Sequence, residues 1–278
     1  MKSYIASTGM AAALTEAAAR LAMVSDTPRL DSELLMAHAL GVERDTLLLR
    51  HMGEAAPEEF AALIERRMGH EPLAYITGTR GFWNIDLAVG PGVLIPRPDS
   101  EALIEAALEH FGDAAPATML DLGTGPGTLL LAALAEWPEA KGLGVDASET
   151  ALDYARRNAE ALGLAGRAVF QLGDWAAGID GRFDLILCNP PYIGEDEAIG
   201  EDVRRFEPHT ALFAGAEGLD DYRRIIPDLR RLMAEGGAAV LEIGWTQADA
   251  VTALGAEHGF TTRVRNDLGD RPRAVLLT

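Results

Sequence analysis

The chain reads as an α/β protein: an open, mostly parallel sheet of seven strands with helices on both faces, preceded by a small helical domain. Three observations predict it. Residues 1–73 carry apolar side chains at helical spacing only, residues 74–95 switch to a period of two, and from residue 96 onward strand-like and helix-like segments alternate. The 278 residues, 48% hydrophobic and 24% charged, suffice for two domains of unequal size and exclude disorder for most of the chain.

In the first segment Leu14, Ala17, Ala18 and Leu21 share a helical face. Asp26-Thr27-Pro28 is a start signal for a helix carrying Leu30, Leu34 and Leu35 to a stop at Gly41. Pro57 opens a further helix, with Phe60, Leu63, Ile64 and Met68 on one face and Gly69 at its end. Trp83, Ile85, Leu87 and Val89 then alternate, and Gly90-Pro91-Gly92 is expected to turn the chain into Val93-Leu94-Ile95, giving a β-hairpin linker over 74–95. Strands are expected at 119–122, 143–146, 168–172, 183–188, 238–243, 260–264 and 274–277. The helix 219–233 is the clearest, with Tyr222, Ile225, Ile226, Leu229, Leu232 and Met233 along one stripe. No internal repeat or low-complexity tract is present.

Twenty-four Lys+Arg stand against 43 Asp+Glu, a net charge of −19 that repels duplex phosphate and argues against direct nucleic-acid binding. Only Lys2 and Lys141 are lysines, and the charge is spread rather than blocked. A single cysteine, Cys188, and no Cys/His cluster at ligand spacing leave neither a disulfide nor a metal to be expected. The apolar stretch from Gly9 to Leu14 stops at Thr15-Glu16 with no cleavage pattern, and no run approaches the ~18 residues of a membrane span. A monomeric cytoplasmic protein with no membrane contact is the expectation.

In doubly wound sheets ligands sit beyond the carboxyl ends of the strands, so the residues there are the candidates for chemistry. Asp121-Leu122-Gly123-Thr124-Gly125-Pro126-Gly127 follows the first such strand and precedes a helix near Thr128. Its glycines allow positive φ and a close backbone approach to a ligand. Its third glycine falls one residue too early for the dinucleotide fingerprint, and it lacks the Gly-Lys-Ser/Thr of a phosphate loop. Asp146 ends the next strand, where a carboxylate can accept bonds from both ribose hydroxyls of a nucleoside, with Ser148 as the better helix cap. Asp174-Trp175 follows the third strand and could meet an adenine edge and face, although such a tryptophan also suits a core. Asn189-Pro190-Pro191-Tyr192 ends the fourth. Two prolines stiffen this exit, while the Asn189 oxygen, the Pro190 carbonyl and the flat Tyr192 ring suit a planar NH₂ group with two hydrogens to satisfy. Cys188 beside it reads as a packed strand residue rather than a nucleophile.

Together these motifs resemble a class I, Rossmann-like methyltransferase that uses S-adenosylmethionine on a planar nitrogen. Pro72-Leu73-Ala74-Tyr75-Ile76-Thr77-Gly78, Leu94-Ile95-Pro96-Arg97-Pro98-Asp99-Ser100-Glu101, Gly218-Leu219-Asp220 and Leu241-Glu242-Ile243-Gly244 extend the resemblance over nearly the whole chain, and the combination is similar to the PrmC/HemK family. That family methylates the glutamine side-chain nitrogen in the Gly-Gly-Gln motif of peptide chain release factors. The resemblance implies that Gly123, Thr124, Gly125, Pro126 and Gly127 hold the methionine part of the cofactor, Asp146 the ribose, and Asp174 and Trp175 the adenine. It puts Asn189 between cofactor and substrate, and makes Asn189, Pro190 and Tyr192 catalytic. Asn189, Pro190, Pro191, Tyr192 and Arg97 would touch the substrate. Pro126 replaces the family's usual Thr or Ser and removes a loop donor; Ser100 replaces Thr. Arg97 and Glu101 either line the substrate mouth or form an ion pair at a helix start.

The implied organisation is a substrate-recognition domain over 1–73, the hairpin over 74–95 and the S-adenosylmethionine-dependent methyltransferase domain over 96–278, with peptide chain release factors as partners. Rival readings are an adenine-N6 or guanine-N2 nucleic-acid methyltransferase, whose exocyclic amines are also planar, a ribosomal-protein glutamine methyltransferase, and a catalytically silent cofactor-binding module.

Overall fold

The structure is a computed structural model and describes residues 9–278; Lys2 and the start of the expected helical domain lie outside the described residues. The chain divides into two compact units, Met1–Thr79 with Ile199–Phe206, and Arg80–Ala198 with Glu207–Thr278.

The first unit is helical. Helix α1 (Met10–Leu21) buries Met10, Ala13, Leu14, Ala17 and Leu21, one stripe at the helical period. Helix α2 (Pro28–Leu40) starts on Pro28 and stops where Gly41 adopts φ +65°, a left-handed conformation suited to glycine. Its inner face differs from the expected Leu30, Leu34 and Leu35. Leu30 is exposed, and Asp31, Ser32 and Glu33 are buried beside Leu35, Met36 and Ala37. The carboxylates are accommodated because each is paired: Arg67 meets Asp31 at 2.9 Å, while Arg29 and Arg44 reach Glu33 at 2.6 and 2.7 Å. Helix α3 (Arg44–Thr46) runs into a π-helical turn over Leu47–His51. Helices α4 (Glu59–Met68) and α5 (Leu73–Thr77) close the core around Phe60, Ile64 and Ile76.

The second unit opens with strands β1 (Thr79–Phe82) and β2 (Ile85–Ala88), which pair as a two-stranded hairpin. The expected turn was one strand too late. The chain reverses at Trp83-Asn84, with Trp83 at φ +55°, and residues 93–95 form no strand. The position is decided by side chains from elsewhere. Glu101 accepts the Trp83 N–H at 3.0 Å, and Glu136 accepts the Trp83 indole at 2.5 Å and the Asn84 amide at 3.0 Å.

The main sheet has seven strands, in the order β5 (Ala168–Leu172), β4 (Lys141–Asp146), β3 (Thr118–Leu122), β6 (Phe183–Cys188), β7 (Met233–Glu242), β9 (Pro272–Leu277), β8 (Thr262–Asn266). All seven expected strands are present. The first five pair in parallel, and β9 runs antiparallel to both β7 and β8. Strand β7 begins at Met233, so the expected helix 219–233 ends as α10 at Asp220–Leu232. Both alternating sets of residues in β3, β6 and β7 are buried near their carboxyl ends, as expected of a sheet covered on two faces. Leu120, Leu122, Ile186, Cys188 and Leu241 pack with Tyr222, Ile225, Ile226 and Leu229 of α10. The remaining helices are α6 (Glu101–Phe111), α7 (Thr128–Glu136), α8 (Glu149–Ala161), α9 (Glu201–Phe206) and α11 (Ala248–Glu257). Of these α9 falls within the first compact unit.

Candidate functional site

The strand order reverses at β3, which has β4 on one side and β6 on the other. Crevices at such points are where these sheets bind ligands. Register brings the candidates together there: Leu122 pairs with both Val145 and Cys188, and Cys188 pairs with Leu241. One residue further along, Gly123, Asn189 and Glu242 therefore lie side by side on neighbouring strands.

Gly123, Gly125 and Gly127 all take positive φ, +73°, +56° and +89°. A Cβ on Gly123 would come within 2.9 Å of the Trp175 ring, and one on Gly127 within 2.7 Å of Leu131, so neither position has room for a side chain in the present packing. Gly125 faces open space. The loop spends its own N–H groups internally: Gly123 and Thr124 donate to the Val145 carbonyl, Gly125 to Asp146 and Gly127 to Thr124. The missing N–H of Pro126 therefore belongs to a loop whose other donors are already committed. The Pro126 carbonyl takes part in anchoring, accepting from Asn158 at 2.8 Å.

Asp121 is buried beneath this loop. Its Oδ2 accepts from the Thr124 hydroxyl at 2.6 Å and the Leu130 N–H at 3.3 Å, and its Oδ1 has no hydrogen-bond partner among the described residues. Burial, opposed by those two bonds, pushes its proton affinity up to about 7. Asp146 is a second acidic group at the rim, with Oδ2 on the Gly125 N–H and Oδ1 on the Ser148 N–H, both at 2.8 Å. Each of its oxygens keeps a lone pair for a hydroxyl. Ser148 caps α8 as expected, accepting from the Ala151 N–H at 3.2 Å. An open glycine face, an unpartnered buried carboxylate oxygen and a rim carboxylate fit a ligand that carries an ammonium group and a ribose. That is the donor pattern of S-adenosylmethionine.

Trp175 sits at φ +49°, its ring against Gly123 and its indole N–H on Asp221 at 3.1 Å. Asp174 is exposed, and both its oxygens accept from Arg224 at 2.7 Å.

In the Asn-Pro-Pro-Tyr turn Pro190 and Pro191 are buried, and Asn189 and Tyr192 are half-buried. The Asn189 amide donates to the Ser100 hydroxyl at 3.4 Å, the Tyr192 hydroxyl donates to Glu242 at 3.2 Å, and the Tyr192 carbonyl accepts from Gln247 at 2.9 Å. Burial and the neighbouring Glu242 push the Tyr192 phenol well above its ordinary range, so it stays protonated. Cys188 is buried and its thiol is pushed up, first by burial, which agrees with a packing role. Arg97 pairs at 2.5 Å with buried Glu207, whose other oxygen accepts the Ile95 N–H, so of the two alternatives for Arg97 and Glu101 the ion pair between them is not formed.

Two residues were missed. In the sequence Glu242 stands out only as a member of Leu241-Glu242-Ile243-Gly244, and Asn158 not at all. Asn158 is buried and makes three bonds, to the Pro126 carbonyl at 2.8 Å and to the Ala88 N–H and carbonyl at 2.8 and 3.1 Å, tying the glycine loop to β2. Nothing local marks it, because its partners are 32 and 70 residues away. Asn158→Ala is expected to cost about 2–4 kcal/mol, because buried backbone groups lose their partners. Chemical denaturation checks this, and a loss within measurement error refutes it. No group of His, Cys, Asp or Glu able to hold a metal occurs among the described residues.

Two family models match the chain, a PrmC N-terminal domain over residues 12–78 and a methyltransferase domain over residues 114–253. A release factor glutamine methyltransferase of Rhodospirillum rubrum is 44% identical over 257 residues, covering 90% of this chain and 79% of the relative. Another, from Caulobacter vibrioides, is 42% identical over 258 residues, covering 90% and 89%. Among solved structures, a methyltransferase from Pyrococcus furiosus overlays with a TM-score of 0.52 at 18% identity, covering 70% of this chain and 89% of that one, a likeness of fold. A strand order that reverses at the glycine loop, an Asn-Pro-Pro-Tyr turn beside it, and relatives this similar over most of their length lead to one conclusion: the chain belongs to the release factor glutamine methyltransferase family.

Proposed function

We propose that this enzyme transfers a methyl group from S-adenosylmethionine to the side-chain amide nitrogen of the glutamine in the Gly-Gly-Gln motif of peptide chain release factors. The observation that supports the reading is the adjacency of Gly123 and Asn189 at the carboxyl ends of β3 and β6, where the glycine loop and the Asn-Pro-Pro-Tyr turn meet. S-adenosylmethionine supplies an electrophilic methyl on a sulfonium. Gly123 through Gly127 and Asp121 would hold its methionine part, Asp146 would accept from its ribose hydroxyls, and Trp175 with Asp174 would border its adenine.

An amide nitrogen is a poor nucleophile, because its lone pair is delocalised into the carbonyl. The Asn189 side-chain oxygen and the Pro190 carbonyl would accept hydrogen bonds from its two N–H groups, orient the nitrogen for attack, and stabilise the positive charge that develops on it. The Tyr192 ring offers a flat wall to the same group, Pro191 keeps the turn stiff, and Arg97 borders the substrate entrance. No carboxylate or imidazole is assigned as a base; the proton leaves after transfer. The unit containing residues 1–73 recognises the protein substrate. The enzyme acts as a monomer in the cytoplasm without direct nucleic-acid contact; no helix among the described residues is long and apolar enough to cross a membrane.

Incubation with labelled cofactor and a panel of release factor, ribosomal protein and RNA tests the reading, and label in RNA alone overturns it. Asp146→Ala removes the ribose acceptor and also frees the Gly125 and Ser148 N–H groups. Cofactor affinity is expected to fall by about 1–3 kcal/mol, roughly 5-fold to 150-fold. Calorimetry giving the wild-type affinity would reject the ribose assignment.

A further inference from the structure

Two of the three residues in a Gly-Gly-Gln motif have no side chain, so an enzyme reads them through their main-chain N–H and carbonyl groups. Donors for those carbonyls are scarce at the carboxyl ends of the strands. The glycine loop commits its N–H groups internally, and Pro190 and Pro191 have none. The segment leading into α6 offers donors of another kind. Arg97 stands between Pro96 and Pro98 in an extended conformation, φ −100° and ψ 137°, as the residue before a proline prefers. Its carbonyl accepts the Ser100 N–H at 3.1 Å, and the Ser100 hydroxyl accepts from the Asn189 amide at 3.4 Å, so the Arg97 backbone lies one short turn from the residue proposed to read the glutamine. Arg80 of β1 reaches the same segment, its Nε donating to the Pro96 carbonyl at 3.3 Å.

Both guanidiniums keep donors in reserve. Arg80 is half-buried, and beyond that one bond neither of its Nη nitrogens has a hydrogen-bond or carboxylate partner among the described residues; neither is sealed in the interior. Arg97 gives Nη2 to Glu207 at 2.5 Å and leaves Nε and Nη1 without a partner among the described residues. Glu207 is fully used, since its second oxygen accepts the Ile95 N–H at 2.9 Å. Glu101 acts on Arg80 only from beyond ion-pair distance, and one of its oxygens accepts the Trp83 N–H at 3.0 Å. Two guanidiniums against two carboxylates leave little net charge, so the pair offers hydrogen-bond donors rather than a positive field. Neutral carbonyl oxygens suit it better than a free carboxylate or phosphate.

We infer that Arg80 and Arg97 form a main-chain reading site, in which their free N–H groups take the carbonyl oxygens of the two glycines before the target glutamine. The inference rests on the proposed function and adds Arg80 to its substrate-binding residues. A crevice that strips water from a glycine segment must give its carbonyls new partners, and two planar guanidinium forks supply them without needing a side chain on the substrate. Fixing those carbonyls also sets where the glutamine side chain begins, and so whether its amide reaches Asn189.

The test is steady-state methylation of intact release factor at saturating S-adenosylmethionine. Arg80→Gln should raise KM for the release factor about 10-fold to 100-fold and leave kcat within about twofold, the split expected when ground state and transition state lose the same contact. Arg80→Lys keeps the charge without the fork and should stay within about threefold of Arg80→Gln; full recovery would make charge the cause and overturn the inference. Release factor carrying the hydroxy-acid analogue of the glutamine, or of the glycine before it, presents the preceding glycine carbonyl as an ester, a weaker acceptor. At least one ester should cost the wild-type enzyme about 5-fold or more in kcat/KM, and that cost should shrink below about twofold in Arg80→Gln, or in Arg97→Gln should the former not fold. Equal use of the amide and both esters by the wild-type enzyme overturns the inference, as does an ester cost that persists undiminished in the variants. Unchanged calorimetric affinity for S-adenosylmethionine is the control that each variant is folded. If Arg80→Gln matches wild type while Asn189→Ala is inactive, the inference fails and the proposed function stands; wild-type enzyme that leaves release factor unlabelled removes the proposed function itself.

Discussion

Asn189→Ala should lower the single-turnover rate by ~10²–10³ at saturating cofactor, the usual consequence of losing one preorganised polar contact at a reacting centre. The position makes a cheaper explanation testable. If the turn served only to stiffen the exit of β6, Pro190 and Pro191 would still do that in the mutant, and only a little stability would be lost. Asn189→Asp divides the cases further. It keeps an acceptor oxygen, loses the NH₂ that donates to Ser100, and adds a charge near the sulfonium that can hold the cofactor too well. Wild type should exceed Asp, and Asp should exceed Ala, with circular dichroism unchanged. Equal rates for Ala and wild type would sink the mechanism and leave the cofactor assignment standing.

Removing residues 1–73 should abolish methylation of intact release factor while leaving cofactor binding unchanged. None of the proposed cofactor contacts lies in that stretch, and its apolar side chains from Met10 to Ile64 cluster with one another and, beyond the cut, with Ile76. If it supplies two or three anchoring contacts of ~2 kcal/mol each to the protein substrate, kcat/KM falls by roughly 10³ or more. A short peptide bearing the target glutamine, too small to reach those contacts, should be methylated equally by both proteins. The segment Ile199–Phe206 clusters with the deleted unit, so calorimetry with S-adenosylmethionine is the control that the remaining sheet is intact. Normal turnover of the whole release factor by the truncated chain would end the recognition role.

By itself the sequence determined whatever is written in neighbouring residues. Apolar periods located all seven strands and α10. Glycine's access to positive φ marked the ends of α2 and the loop from Gly123 to Gly127, a serine before an apolar stripe marked the cap of α8, and paired prolines marked the stiff exit of β6. These are short-range steric and hydrogen-bonding preferences, and tertiary structure had little to add to them. Tertiary structure decided every pairing between distant segments. The hairpin reverses at Trp83-Asn84 because Glu101 and Glu136 reach its N–H groups, although Gly90-Pro91-Gly92 is the stronger local turn. Arg97 takes Glu207, 110 residues away, over its neighbour Glu101. Asp31 and Glu33 are buried on α2 because arginines meet them there. Asn158 and Glu242 became visible only once sheet register had carried β7 beside β6 and the close of α8 had met the glycine loop. A buried polar group is stable only with its partners in place, and which partners arrive is settled by how the chain closes on itself.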